Sequence, residues 1–180
     1  MKRTLNILLI LISTLSFSQN IEEKEAEIFE KIVTHEFQYG GIYLGCTKSK
    51  TYFDSAKLTK QSGLEIPENI LQELTKSSEL SKEGTWNPEI IKRNHKKYTT
   101  EYIKKGKCLS GKDSKRLFDK TKERQSIVLI SQPIFDSEFE NCIVSVTYLK
   151  YTSSLHGHKY FLKKIYGKWI IVDTYDLWLT

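Results

Sequence analysis

The spacing of apolar residues predicts helices in the first half of the chain. Asn20 and Glu23 resemble a capping box, and after them apolar side chains recur at every third or fourth position. This spacing predicts an amphipathic helix from Ile21 to Gln38, ended by Gly40-Gly41. Two further helices are predicted over Pro67 to Ser77 and over Ser110 to Lys122. Another is predicted to begin at Asn87, with Ile90, Ile91 and Tyr98 as its apolar positions.

From Ser126 to the end of the chain, the pattern changes to that of β-strands. Strands are predicted over Ile127 to Ile130, Asn141 to Tyr151, His158 to Tyr166 and Lys168 to Thr174, followed by a last short segment with Trp178. Because the links are short, these strands are expected to be antiparallel neighbours. An α+β fold is therefore predicted, in which the N-terminal helix covers a C-terminal β-meander. Trp169, beside the Gly167 turn, is expected to anchor the core where its strand meets this helix.

The composition is that of one globular domain. The chain has 180 residues, of which 39% are hydrophobic and 12% aromatic, enough apolar surface to offset the entropy of ordering a core. No internal repeat or long linker divides it, so residues 19–180 are expected to form a single α+β domain. Near its start, the β-prone runs Ile42 to Leu44 and Thr51 to Phe53 predict a small hairpin around the polar segment between them.

Residues 1–18 have the pattern of a signal peptide. Two cations precede the apolar stretch Leu5 to Phe17, and Ser16 and Ser18 are small residues of the kind that signal peptidase accepts, which predicts cleavage before Gln19. The stretch is shorter than the roughly 20 apolar residues that a membrane-spanning helix needs, and no later segment is apolar enough to span a bilayer. The mature chain is expected to be a soluble periplasmic or secreted protein, with its net charge lowered from +6 to +4 by the loss of the two cations.

Three cysteines remain in the mature chain, so an oxidising compartment allows one internal bridge and one leftover thiol. Cys142 begins an alternation with Val144 and Val146, which predicts a buried position on the apolar face of a strand. Cys46 and Cys108 are then the favoured pair. Three free thiols remain an equal alternative, because spacing alone does not determine connectivity.

The C-terminal third carries a family resemblance. Its segments resemble uncharacterised secreted proteins of flavobacteria and their relatives: Ser131 to Asp136, Asn141 to Val146, Tyr160 to Lys164, Gly167 to Val172 and the closing Trp178. The leader end, Leu15 to Gln19, resembles that group as well. Lys163 to Val172 is also similar to a hairpin of nuclear-transport-factor-2-like domains, in which a long helix lies in a curved sheet and a pocket opens between them. The resemblance implies an exported α+β protein and brings no catalytic residue with it.

His156 and His158 are the weak candidates for a metal site. Two histidines two positions apart on an extended chain point to the same side and can chelate a transition metal if a third ligand arrives from elsewhere. No third ligand has a recognisable spacing, so a polar turn before a strand is the preferred interpretation. No metal and no cofactor are predicted.

The motifs of common enzymes are missing from the sequence. It contains neither Gly-x-Ser-x-Gly nor a phosphate-binding glycine loop, so no catalytic residue is assigned and a protein without enzymatic activity is favoured. If the sheet holds a pocket, Tyr148, His158 and Asp173 are the candidate ligand-binding residues, since a carboxylate on an apolar strand is costly unless it is exposed or used. A solvated Asp173 is the preferred alternative.

Charge is concentrated in one stretch of the chain. Residues 92–124 hold 13 Lys and Arg against 4 Asp and Glu, whereas residues 19–91 are acidic. The basic stretch could contact a polyanion weakly. A solvated face that pairs in part with the acidic first helix is the favoured alternative, because the stretch matches no nucleic-acid-binding motif.

Two functions are therefore considered. The first is an exported, non-catalytic envelope or binding protein of unknown ligand. The alternative is a small pocket domain of the nuclear-transport-factor-2-like type that acts as a weak enzyme or a protein inhibitor. A deep closed cleft lined by Tyr148, His158 and Asp173 would favour the pocket domain, whereas a filled core with surface grooves would favour the binding protein.

Overall fold

The computed structural model describes residues 21–37, 42–94, 108–151 and 154–179. In these ranges the helices are α1 (residues 21–36), α2 (Ser55–Ser62), α3 (Glu68–Leu80), α4 (Pro88–Asn94) and α5 (Gly111–Thr121). The strands are β1 (Ile42–Leu44), β2 (Thr47–Lys48), β3 (Gly84–Thr85), β4 (Ser126–Ile130), β5 (Ile134–Phe135), β6 (Asn141–Lys150), β7 (Leu155–Ile165) and β8 (Lys168–Leu179).

Six strands form one mixed sheet with the order β1-β4-β6-β7-β8, and β5 pairs with the first half of β6. The pairing is antiparallel except between β1 and β4. Pro133 lies between β4 and β5, where its missing N–H removes no ladder hydrogen bond. The predicted α+β class and the C-terminal meander β6-β7-β8 are confirmed.

The first helix covers one face of the sheet. Its apolar stripe packs against β4, β6 and β7 in the larger core cluster, to which it contributes Ile28, Phe29, Ile32, Val33 and Phe37. Cys142 is fully buried in the same cluster, as its alternation predicts. Trp169 is buried there too, and its indole Nε1 donates to Glu27 Oε2 of α1 at 2.9 Å. Trp169 therefore ties β8 to α1, which confirms its predicted anchoring role.

The opposite face of the sheet is covered by α2 and α3. A second core cluster lies there, made of Leu58, Leu71, Leu74, Ile134, Ile143, Phe161 and Tyr175. Helix α2 was not predicted, because Leu58 is its one buried residue and no apolar period marks it. Its start is fixed by Asp54, whose side chain accepts a hydrogen bond from the Lys57 backbone N–H.

The predicted hairpin between Ile42 to Leu44 and Thr51 to Phe53 is wrong. Ile42–Leu44 is a strand, but it pairs in parallel with β4. Residues 51–53 form no strand, because side chains of other elements occupy their backbone groups: Ser78 Oγ and Ser81 Oγ accept from the Phe53 and Thr51 N–H groups. The two residues of β2 pair with β3 instead.

The other predicted elements lie close to their expected positions. The second predicted helix, α3, begins one residue later than expected and continues three residues further, to Leu80. Ser110 caps α5 in a capping box with Asp113. The segment with Trp178 is the end of the long strand β8, whose register with β7 shifts twice. The predicted helix end at Gly40-Gly41 lies outside the described residues.

Cys46 and Cys108 form a disulfide with their Cα atoms 4.9 Å apart, which confirms the favoured pair and leaves Cys142 free. The bridge links the segment after β1 to the segment before α5. Among the described helices, none combines the length and hydropathy needed to cross a bilayer. Residues 1–18 lie outside the described ranges, so the signal peptide stays a prediction.

Candidate functional site

Two of the three candidate ligand-binding residues lie together beneath α1. Tyr148 is on β6 and His158 is on β7, and their ring centroids are 5.7 Å apart. The alternation of both strands directs these side chains to the face that α1 covers. There they meet Glu36, the last residue of α1, which the sequence analysis did not identify.

Glu36 is a buried carboxylate with several hydrogen-bond donors around it. The phenols of Tyr148 and Tyr160 each donate to one of its oxygens, and His158 Nε2 lies 3.7 Å from its Oε1. Burial raises the pKa of Glu36, but the nearby His158 imidazole and the hydrogen bonds of the two phenols outweigh it, so the pKa falls below its ordinary value. Burial and the neighbouring carboxylate raise the pKa of both phenols. The cluster is therefore an ionised carboxylate held by neutral tyrosines.

Aromatic and imidazole rings surround this carboxylate. His156 stacks on Tyr148 with a centroid distance of 4.7 Å, and His35 meets the edge of Tyr160 at 5.5 Å. His156 and His158 lie on the same face of β7, as their spacing predicts, so the preferred interpretation of a polar turn before a strand is wrong. Within residues 21–37, 42–94, 108–151 and 154–179, however, no three His, Cys, Asp or Glu side chains are grouped so that they could hold a metal ion.

The third candidate, Asp173, lies on the other face of the sheet. Its cross-strand partner is Phe161, whose side chain belongs to the core cluster beneath α2 and α3. Asp173 Oδ2 and the Tyr175 hydroxyl are buried there without a hydrogen-bond partner among the described residues. The sheet thus separates Asp173 from Tyr148 and His158, and the three residues do not line one cleft.

The sequence does carry a signal for Glu36. Ile32, Val33 and Phe37 mark the buried stripe of α1, and Glu36 lies four and three residues after the first two. A carboxylate in such a stripe needs charged or hydrogen-bonding partners, because burying it alone is very costly. The pattern could have predicted a partnered carboxylate at this position, although it could not have named the partners.

A groove lies on another part of the surface, bounded by the start of α1, the second half of α3 and β5 with the turn that follows it. We call it the α1–α3 groove. Its volume is about 710 Å³, and its apolar lining consists of Ile21, Leu80, Pro133, Ile134, Phe135 and Phe139. Leu80 is 70% exposed, so the described residues leave this apolar side chain largely uncovered at the groove.

The carboxylates of the α1–α3 groove are already engaged by other protein groups. Glu25 accepts hydrogen bonds from Lys48 at 2.8 Å and Gln132 at 3.0 Å. Glu73 accepts from the N–H and hydroxyl of Ser137, both at 2.8 Å, and this lowers its pKa. Asp136 accepts from the backbone and side chain of Asn141. This groove was not predicted, because its lining comes from three separate segments of the chain.

Comparison with known proteins adds no relative to this picture. No family model, curated protein or solved structure is significantly similar to the chain. The chain's own geometry is therefore the basis for assigning a function.

Proposed function

We propose that the protein is exported and acts as a non-catalytic binding protein that takes up an apolar ligand in the α1–α3 groove. The observation that carries this proposal is the open groove of about 710 Å³ with six apolar side chains in its lining. Ligand sites are typically concave and mostly apolar, with volumes of roughly 300–1,000 Å³. Export is inferred from the leader pattern and agrees with the disulfide of Cys46 and Cys108.

Two observations favour binding over the alternative, a pocket domain of the nuclear-transport-factor-2-like type that acts as a weak enzyme or inhibitor. Tyr148 and His158 lie on one face of the sheet, whereas Asp173 lies on the other. Both oxygens of Glu36 already accept phenolic hydrogen bonds. A catalytic carboxylate must reach a reacting group, whereas the oxygens of Glu36 are taken up by hydrogen bonds within the protein.

The proposal is tested with the neutral fluorescent probe N-phenyl-1-naphthylamine, titrated into the mature chain. Leu80→Gln should weaken probe binding roughly 5- to 30-fold, because covering a leucine side chain contributes about 1–2 kcal/mol. Leu177→Gln is the matched control, since Leu177 is 75% exposed and lies on β8, outside the groove. Absence of saturable binding, or equal losses in the two variants, would refute a ligand site in the groove.

The polyanion contact predicted for residues 92–124 is proposed only as a weak, salt-sensitive interaction. Residues 95–107 of this stretch lie outside the described residues. In the described part, Lys92 pairs with Glu89 and Lys115 pairs with Asp119, both at 2.6 Å. Such local pairs support a solvated basic face over a dedicated binding surface.

A further inference from the structure

The lining of the α1–α3 groove carries an excess of negative charge. Among the described residues, the lining holds three carboxylates and one lysine: Glu25, Glu73, Asp136 and Lys76. Lys48 pairs with Glu25 at 2.8 Å and offsets its charge. Within the described ranges, Glu73 and Asp136 accept hydrogen bonds only from neutral groups, which leave their charges in place. The groove is therefore complementary to a ligand with a positive charge and repels one with a negative charge.

The carboxylates of Glu73 and Asp136 lie at the same end of the groove. Ser137 follows Asp136 in the turn after β5, and its N–H and hydroxyl both donate to Oε2 of Glu73 at 2.8 Å. These two bonds, the backbone one foremost, lower the pKa of Glu73, so its carboxylate is ionised at neutral pH. In the part of the chain that the structure describes, no group donates to the other oxygen, Oε1. Glu73 can therefore accept a hydrogen bond from a ligand.

Aromatic rings lie at this end of the groove as well. Phe135 and Phe139 both belong to the lining, on either side of Asp136 and Ser137 in the sequence, and their ring centroids are 5.4 Å apart. Aromatic rings attract cations to their faces, because the face carries the negative part of the ring quadrupole. Phe139 is only partly buried, so part of its ring is open to a ligand. An ammonium group at this end would contact a carboxylate and an aromatic ring together.

We propose that the ligand of the α1–α3 groove is an apolar primary amine, with its ammonium group at Glu73 and Phe139 and its apolar part extending towards Leu80. This inference rests on the proposed function of the groove. The N–H donors of a primary ammonium suit a carboxylate oxygen that has no other donor. Leu80 lies on the same helix as Glu73, about 10 Å further along its axis, a span that a decyl chain can cover. Lys76 is exposed, so water screens its repulsion of the ligand.

The experiment measures decylamine binding by calorimetry below its micelle concentration, at pH 7.5 and low salt, alongside the neutral probe N-phenyl-1-naphthylamine. Glu73→Gln keeps the shape of the side chain and removes its charge. It should weaken decylamine binding roughly 3- to 10-fold and leave the neutral probe unaffected, which also shows that the groove is intact. Glu79→Gln is the matched control, since Glu79 is an exposed glutamate of α3 that does not line the groove.

Two ligands with the same alkyl chain length test the head group. Decanoate should bind the wild type more weakly than decylamine, because its charge is repelled by the carboxylates of the lining. Decyltrimethylammonium should also bind more weakly, because it keeps the positive charge and has no N–H to donate to Glu73. Added salt should reduce the advantage of decylamine over decanoate.

The outcomes separate this inference from the proposed function. If the neutral probe binds but Glu73→Gln leaves decylamine affinity unchanged, the amine inference is wrong and the apolar site stands. Tighter binding of decanoate or of decyltrimethylammonium than of decylamine would likewise overturn the primary-amine assignment. If neither the probe nor decylamine binds the wild type, the proposed function and this inference both fail.

Discussion

At the scale of single residues, Glu36 shows how an ionised carboxylate is retained between a helix and a sheet. The phenols of Tyr148 and Tyr160 donate to it from two neighbouring strands, so the end of α1 is fixed to both β6 and β7. Hydrogen bonds to a charged group are stronger than those between neutral groups. Glu36 therefore has a structural role that does not require a ligand.

The first prediction concerns the stability that Glu36 provides. Glu36→Gln should destabilise the protein by about 1–3 kcal/mol at pH 7, since it removes the charged acceptor of the buried Tyr160 phenol and the half-buried Tyr148 phenol. The pKa of Glu36 is lowered from 4.5 in the folded state, so its contribution is complete above pH 4.5 and is lost as the pH falls through the folded-state pKa. Urea denaturation at several pH values should show that the difference in free energy of unfolding between wild type and variant becomes smaller below pH 4.5.

The control for this experiment is Glu22→Gln, because Glu22 is exposed on the same helix. It should change stability little at any pH. If the difference in free energy of unfolding between wild type and Glu36→Gln stays constant from pH 7 to pH 3, the ionised state assigned to Glu36 is contradicted.

At the scale of elements, the contact between β8 and α1 holds the meander to the helix. Trp169→Ala should destabilise the protein by about 3–5 kcal/mol, because it removes a large buried side chain. Trp169→Phe keeps an aromatic ring and loses the hydrogen bond to Glu27, so a smaller cost of about 1 kcal/mol is expected. Thermal melts should rank the variants in this order. Tyr52→Ala, at an exposed aromatic, is the control, and a wild-type melt for Trp169→Ala would contradict the packing.

The pairing of the cysteines can be tested by counting the thiols that react with a reagent. Cys46 and Cys108 are bridged and Cys142 is buried, and burial raises the pKa of the Cys142 thiol well above its ordinary value. A thiol reagent should therefore detect no thiol in the folded oxidised protein, one after unfolding and three after unfolding with a reductant. The Cys142→Ala variant should lose the thiol that unfolding exposes. Two or more thiols in the unfolded oxidised protein would contradict the pairing.

Helices and strands could be predicted where a pattern within the segment itself determines them, and not where a contact with a distant segment does. The strands of the meander and helix α1 carry strong periods over ten or more residues, and both were predicted. The partner of β1 was not, because the pairing of Ile42 with Ser126 joins segments that are far apart in the sequence. Helix α2 was missed because tertiary contact through Leu58, rather than an apolar stripe, stabilises it.

At the scale of the whole molecule, the sheet separates two sets of polar residues. Glu36, Tyr148 and His158 lie beneath α1, whereas Asp173 lies beneath α2 and α3. The alternation within each strand predicted that Tyr148 and His158 share a face. The side of Asp173 could not be predicted, because the register of β8 shifts between Phe161 and Leu162 of its partner strand.

The polyanion prediction concerns the charge of the whole molecule. Wild type should be retained weakly on heparin and released at moderate salt, since exposed charges are screened over about 8 Å at physiological ionic strength. Retention should be lost, with little change in melting temperature, when Gln replaces four lysines outside the described residues: Lys96, Lys97, Lys104 and Lys105. The control replaces four exposed lysines elsewhere: Lys60, Lys82, Lys163 and Lys168. Retention that persists in high salt would contradict the electrostatic account.

The last prediction concerns where the molecule is found. The full chain expressed in a bacterial host should yield a periplasmic or secreted protein that begins at Gln19, because Ser16 and Ser18 are the small residues before the cleaved bond. N-terminal sequencing measures this directly. Ser18→Tyr should accumulate a longer precursor, whereas Asn20→Ala, beyond the cleaved bond, should be processed normally.

The disulfide should form only if the protein is exported, so the redox state of Cys46 and Cys108 is a second, independent test of export. A chain that begins at Gln19 and is retained in the reducing cytosol should keep Cys46 and Cys108 as thiols, whereas the exported protein should carry the bridge. After unfolding, the retained form should therefore show three reactive thiols and the exported form one. The retained form should also melt at a lower temperature, since such a bridge contributes about 2–4 kcal/mol. An oxidised protein with Met1 intact in the soluble cytosolic fraction would contradict export.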